Sequence, residues 1–280
     1  MGTERRERQK EHHREHQQSV RAELKRQQRR RTLFTAVGAA AILGVIGVAG
    51  WALVSSDDTT TDSASDTTLD PTEVTPPIDP GAESPVSDAP CPPDDGTPER
   101  VTTFDGRPQM CIDPAATYQA QIATSKGDFT VALDAAAAPE TVNNFVVLAR
   151  SHFYDGIPFH RIVPGFVIQA GDPTETDDLA SMGSGGPGYT IAEEPPADGV
   201  YAKYDLAMAK TQQPNSTGSQ FFVVTGDPAP LNSSPTYSLF GTVTEGTEVV
   251  DALGAAPVAG PNGDTPTETI TIDSVTITEQ

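Results

Sequence analysis

The chain has 280 residues, 25 Pro, 24 Gly and a formal net charge of −21. Residues 1–31 hold eleven of the 18 Lys and Arg and five of the 39 Asp and Glu, about +6. That leaves seven cations against 34 anions, −27, for the other 249 residues. An acidic body of this kind excludes binding to a phosphate backbone, where affinity is built from cationic contacts. Nothing before about residue 115 has the apolar periodicity that a core requires, so the composition argues for one folded domain.

Residues 1–32 read as a basic tail on the inner side of a membrane, its His12, His13 and His16 belonging to a solvated polar surface. Residues 33–54 carry no charge, and 22 such residues are long enough to cross a bilayer. Arg29, Arg30 and Arg31 precede this run and no cation follows it until Arg100, which puts the N-terminus inside and the C-terminal body outside. Trp51 sits where an aromatic anchor at the outer interface is common. Ala36, Ala40 and Gly44 recur every four residues, a spacing that lets two membrane helices approach. The alternative is a cleaved signal peptide. Such peptides have apolar cores of about 7–15 residues and a small-x-small cleavage site, which Val54-Ser55-Ser56 matches poorly. The reading is therefore a retained single-pass anchor.

Residues 55–90 contain nine Asp and Glu, no Lys or Arg, and many Thr, Ser and Pro. This composition describes a self-repelling linker, roughly 30–36 Å from end to end as a flexible coil. Residues 91–116 form a transitional segment bounded by the only two cysteines, Cys91 and Cys111. Outside the cell such a pair forms a disulfide, closing a loop of about 20 residues and adding roughly 3 kcal/mol in the chain-entropy picture. Two free thiols are the alternative. No C-x-x-C occurs and the nearest histidines are His152 and His160, so no metal site is expected.

The texture changes from Tyr118, where the folded domain (residues 117–280) begins. Phe129, Val131 and Leu133 alternate with other residues at strand spacing, and Lys126-Gly127 lies between that run and Tyr118–Thr124 as a hairpin turn would. Pro139 opens a helix, followed by Val142, Phe145, Val146 and Ala149 on one face. Further strands are expected at Arg161–Gln169, Leu206–Lys210, Gln220–Thr225 and Leu239–Thr244. A second helix is expected at Glu248–Leu253, ended by Gly254. The chain closes on Ile270, Ile272, Val275 and Ile277, an alternation broken near Asp273. Many short strands, Gly-rich turns and two helices suggest a mainly-β domain: a closed antiparallel barrel with helices capping its ends.

Phe159–Asp172 places Arg161 and Gln169 among large apolar residues, and Gly218-Ser219-Gln220-Phe221-Phe222 repeats the pattern. Fixed donors beside an apolar hollow suit a reaction that needs no nucleophile. Rotation about an X–Pro bond is such a reaction. Amide resonance raises the barrier to ∼18–20 kcal/mol, and the uncatalysed exchange takes tens to hundreds of seconds. Excluding water lowers the barrier, because water stabilises the planar, charge-separated amide more than the twisted one. Donating a hydrogen bond to the prolyl nitrogen also lowers it, because the lone pair is released as the bond twists. About 6 kcal/mol would give roughly 10⁴-fold acceleration. Arg161, with its permanent charge and rigid fork of N–H groups, is the candidate donor. Phe166, Val167 and Phe222 are candidates for the proline pocket, and Gln169 and Gln220 for holding substrate backbone or orienting Arg161.

His160 beside Arg161 reads as structural, since no proton has to move. The run Gly183-Ser184-Gly185-Gly186-Pro187-Gly188 lacks the Lys-Ser/Thr of a phosphate loop and reads as a turn. Ser219 lacks the Gly-x-Ser-x-Gly setting of a nucleophile.

Residues 117–279 resemble the cyclophilin-type peptidyl-prolyl isomerases. The resemblance rests on Phe159–Asp172, Gly183–Gly188, Leu206-Ala207-Met208-Ala209, Gly218–Phe222 and Phe240-Gly241. It implies an eight-stranded antiparallel barrel with two capping helices, working as a monomeric domain without cofactor or metal on proline-containing polypeptides. It also implies Arg161 as the essential arginine and Phe166, Val167, Gln169, Gln220 and Phe222 as the pocket. Ala209 matches a substrate-contacting alanine, Leu231 a pocket leucine, and Tyr237 a His or Tyr lining the pocket. Lys210 stands where the family often has an asparagine whose backbone binds substrate. Pro230 stands where many members have a tryptophan that helps bind cyclosporin. The loop Asn232–Thr236 is about two residues longer than usual, and Gln212-Gln213 adds about one. The expected function is a membrane-tethered prolyl isomerase for exported chains. A module that captures proline segments, or a holdase chaperone, with little turnover, is the alternative.

Overall fold

The computed structural model describes residues 83–280; the basic tail, the apolar span at 33–54 and the linker up to residue 82 lie outside the described residues. Among the described residues no helix is long and apolar enough to cross a membrane. Strands β1 (Tyr118–Thr124), β2 (Gly127–Leu133), β3 (Arg161–Val163), β4 (Val167–Ala170), β5 (Asp205–Met208), β6 (Phe221–Val224), β7 (Leu239–Glu245) and β10 (Ile272–Glu279) form one sheet. A two-stranded ribbon, β8 (Val258–Ala259) with β9 (Thr265–Pro266), stands beside it. The helices are α1 (Pro139–Arg150), the four-residue α2 (Ala229–Asn232) and α3 (Thr247–Gly254).

The large sheet runs β10-β1-β2-β7-β5-β6-β4-β3, and its paired strands are antiparallel. The mainly-β fold with eight strands is as expected; the closed ladder is not. β3 and β10 are edges, and the gap between them is spanned by residues 156–159. There Phe159 N–H donates to Ile270 O, Ile272 N–H to Ile157 O and Gly156 N–H to Ile272 O, each at 2.8 Å. β3 is only three residues long, and Pro158 in the bridging segment has no N–H to extend the pairing. The result is a curled sheet stitched shut by a loop.

Alternation along the strands sorts side chains into two clusters. Ile122, Phe129, Val131, Ile162, Ile168, Leu206, Met208, Phe221, Val223 and Phe240 face the main core. α1 closes that core with Val142, Phe145, Val146 and Ala149, the four residues of the expected face, all buried. Phe145 packs edge-on against Phe221 at 5.7 Å, and burying such a ring contributes about 2–3 kcal/mol. Ala138, the N-cap of α1, has no side chain with which to cap it. Glu194 does so from a distant loop, accepting the N–H groups of Glu140 (3.2 Å) and Thr141 (2.8 Å).

Four local expectations change. Arg161–Gln169 is two strands rather than one: Gly165 turns with φ +72° and Phe166 N–H donates back to Val163 O at 3.0 Å. Apolar residues flank the turn on both sides, so periodicity does not betray it. In the first hairpin Thr124 pairs with Gly127, leaving Ser125-Lys126 as the loop. Gly254 is the last residue of α3 rather than its terminator; a Cβ there would meet the Thr225 side chain at 2.8 Å, so close packing requires the glycine. Residues 83–90, read as the end of the linker, pack on the domain: Ser84 N–H donates to Thr190 O and Arg107 Nε to Ser84 O. The break near Asp273 is a bulge, where the register slips between Ser274 and Ile272 opposite β1.

Cys91 and Cys111 are bonded, with sulfurs 2.06 Å apart. Their loop lies on α1, where Asn143 accepts Cys111 N–H and donates to Gln109 O.

Candidate active site

The second cluster is on the outer face of the sheet. Val167, Ala207, Phe222, Val224, Tyr201 and Leu231 are buried there, with Val163, Phe166, Ala209, Tyr237 and Leu239 packed against them. Strand register explains the assembly. Arg161 pairs with Gln169, Gln169 with Phe222, and Phe222 with Ala207, so these four residues form one row across β3-β4-β6-β5. Residues opposite one another share a face. At a strand spacing of about 4.8 Å, the backbone of Arg161 stands roughly 10 Å from that of Phe222, a gap within reach of an arginine side chain.

Arg161 is 43% exposed in its side chain and held at two nitrogens: Nε by Asp264 Oδ2 at 3.1 Å, and Nη1 by Gln169 Oε1 at 3.2 Å. Nη2 has no partner among the described residues. Gln169 Nε2 donates to Gln220 Oε1 (2.9 Å), and Gln220 Nε2 donates to Gly185 O (2.8 Å). Gly185 N–H in turn donates to Asp172 at 2.9 Å, and Thr174 N–H to the same carboxylate at 2.8 Å. Burial alone would raise the Asp172 carboxyl; hydrogen bonds from Thr174, Gly185 and Gly183 outweigh it and hold it below the usual carboxylate range. The Gly183–Gly188 loop thus wraps an internal carboxylate, and its Gly185 is obligatory because a Cβ would overlap Asp172. Asn144 on α1 steadies the same region, donating to Gly218 O and accepting from the Tyr189 hydroxyl.

His160 is buried and neither ring nitrogen has a partner. Burial lowers its pKa to about 4, helped by Arg161 and opposed by Asp172. It is neutral at pH 7, in keeping with a structural role.

Phe222 meets Tyr237 edge-on, centroids 5.3 Å apart, and Leu231 enters from α2. The Tyr201 hydroxyl donates to Tyr237 O (2.7 Å) and accepts Tyr237 N–H (3.0 Å), while Asn232 at the start of the longer loop accepts Tyr201 N–H. Ala209 joins the apolar cluster, and its N–H donates to Gln220 O. The Lys210 side chain is engaged elsewhere. Its ammonium lies 3.4 Å from Glu193, with both side chains nearly buried. Burial alone would raise Glu193; the N–H groups of Asn215 and Ser216, then Lys210, hold it low instead. Pro230, beside Leu231, is exposed and offers no aromatic wall. Sequence reading missed Tyr201, Asp172 and Asp264. Asp172 closes the Phe159–Asp172 motif and was the most legible of them; Asp264 carries no motif.

Among the described residues no group of three His, Cys, Asp or Glu is placed to hold a metal ion.

Fold and site together define a curled antiparallel sheet with an apolar cluster on its outer face, edged by one cation and two amides. Residues 119–277 match the cyclophilin type peptidyl-prolyl cis-trans isomerase family, and the chain belongs to it. A probable peptidyl-prolyl cis-trans isomerase A of Mycobacterium leprae is 41% identical over 176 residues, 56% of this chain and 91% of that protein. The peptidyl-prolyl cis-trans isomerase B of Streptomyces anulatus is 39% identical over 176 residues, 56% of this chain and 95% of that one. Among solved structures, a cyclophilin type isomerase of Cryptosporidium parvum superposes with a TM-score of 0.51 at 29% identity, over 59% of this chain and 99% of that one. A second structure of it, in the presence of the dipeptide Ala-Pro, gives 0.50.

Proposed function

We propose that this protein accelerates cis–trans rotation of X–Pro bonds in polypeptides, through Arg161. The row Arg161–Gln169–Phe222–Ala207 carries the reading, because it joins a permanent cation to an apolar floor on one face. The proline ring rests among Phe222, Val167, Leu231 and Phe166, which excludes water from the amide. Gln169 and Asp264 hold two guanidinium nitrogens, so Nη2 donates to the prolyl nitrogen as its lone pair is freed. Gln220, Ala209 and the backbone at Lys210 hold the flanking chain. The relatives' names and the neighbour determined in the presence of Ala-Pro support this substrate class.

The test uses the full-length chain in detergent on an X–Pro peptide, by protease-coupled or NMR exchange assay. Arg161→Ala loses at least about a hundredfold in kcat/KM, as removal of one preorganised donor does elsewhere, while the melting curve is kept. Full activity in that variant sinks the role of Arg161. Peptide binding without acceleration by the wild type would favour the capture module.

The same proposal includes a tether. Residues 33–54 anchor the chain with the isomerase domain on the outer side, where it serves chains folding after export. The cationic residues before the span and the Cys91–Cys111 bond support this location.

A further inference from the structure

Asp264 has no place in the site as its motifs define it, yet it touches the residue on which the proposed reaction depends. It stands between the tip of the β8–β9 ribbon and β9, after Gly260 and Gly263, whose φ values of +82° and +68° turn the chain back. Two bonds fix it against β3. Its backbone carbonyl accepts Ile162 N–H at 2.8 Å, and its carboxylate accepts Arg161 Nε at 3.1 Å. The first bond exists whatever side chain stands at 264; the second needs an acceptor there.

An arginine held only at Nη1 can still pivot about its long stem. Holding it at Nε as well fixes the plane of the guanidinium and the direction of Nη2. We infer that Asp264 is a positioning residue, which aims Arg161 through the acceptor it offers to Nε. The inference rests on Arg161 being the proposed donor. It also separates aim from stability. Arg161 is 43% exposed and Asp264 20%, and an ion pair so open to solvent contributes little to folding. Misplacing a catalytic group, by contrast, is costly to rate.

The experiment compares full-length wild type, Asp264→Ala, Asp264→Asn and Arg161→Ala for kcat and KM separately, and follows the Arg161 Nε–H resonance by NMR. Asp264→Ala lowers kcat about tenfold with KM within about twofold, since the aimed bond forms only as the amide twists. Its Nε–H resonance moves to the position of a solvated arginine while the core amide signals stay. Asp264→Asn keeps an acceptor oxygen and stays within about threefold of wild type. Wild-type kcat with an unmoved resonance in Asp264→Ala overturns the proposal, as does an Asn variant no better than Ala. A wild type without isomerase activity overturns the functional reading instead, and the resonance alone then decides whether Asp264 holds the guanidinium.

Discussion

At His160 burial overcomes an adjacent carboxylate. The ring is ordinary in the unfolded chain, near 6.5, and falls to about 4 when folded. Above 6.5 neither state carries the proton. Between 6.5 and 4 only the unfolded state takes it, so stability is lost as pH falls through this window, by at most about 3 kcal/mol. Denaturation midpoints from pH 7.5 to 4 will therefore fall less steeply in His160→Gln than in wild type; parallel slopes would remove His160 from the account. Identity alone does not mark this histidine as neutral, because the shift comes from lost water. Arg161 and Gln169 are different. They stand out from their apolar flanks, and the pairing of β3 with β4 places both on one face. Asp264 is 103 residues from its partner, and nothing local distinguishes it from the other acidic residues.

Among the elements, α1 and its wrapping segment divide the labour. The apolar stripe and Pro139 make the helix legible, but its N-terminal cap comes from Glu194, and no local pattern predicts a cap 54 residues away. The segment from residue 83 to 116 crosses α1 and reaches the Gly-rich loop, where Phe104 N–H donates to Pro187 O. Its disulfide closes a loop of sequence separation 20. Cys91→Ser/Cys111→Ser lowers unfolding stability by about 3 kcal/mol, read as the guanidinium midpoint with and without reductant. An equal midpoint would show that the rest of the wrap holds the segment without the bond. The turn at Gly165 is illegible in the sequence for a simpler reason. Val163 and Val167 look like one continuing strand until the chain is seen to fold back and pair them.

For the whole molecule, the charge split and the 22 uncharged residues at 33–54 lead to one outcome. The proposed tether predicts that the full chain will sediment with membranes, resist carbonate extraction, and expose its C-terminal domain to protease on intact cells. Release of a shortened soluble form would support the signal-peptide alternative and remove the tether. Much of the rest was available from the chain itself: mainly-β texture, two of the helices, the cysteine pair, and the arginine and glutamines among apolar residues. Sequence determined these because alternation, caps and polar intrusions are local. Tertiary structure decided what each apolar residue is for. Phe221-Phe222-Val223-Val224 reads as an unbroken greasy run, yet its odd members face the core and its even members floor the site. Only the packing of α1 beneath and α2 with Tyr237 above separates the two faces, because a strand in mid-sheet is covered on both sides and its sequence does not record which cover binds substrate.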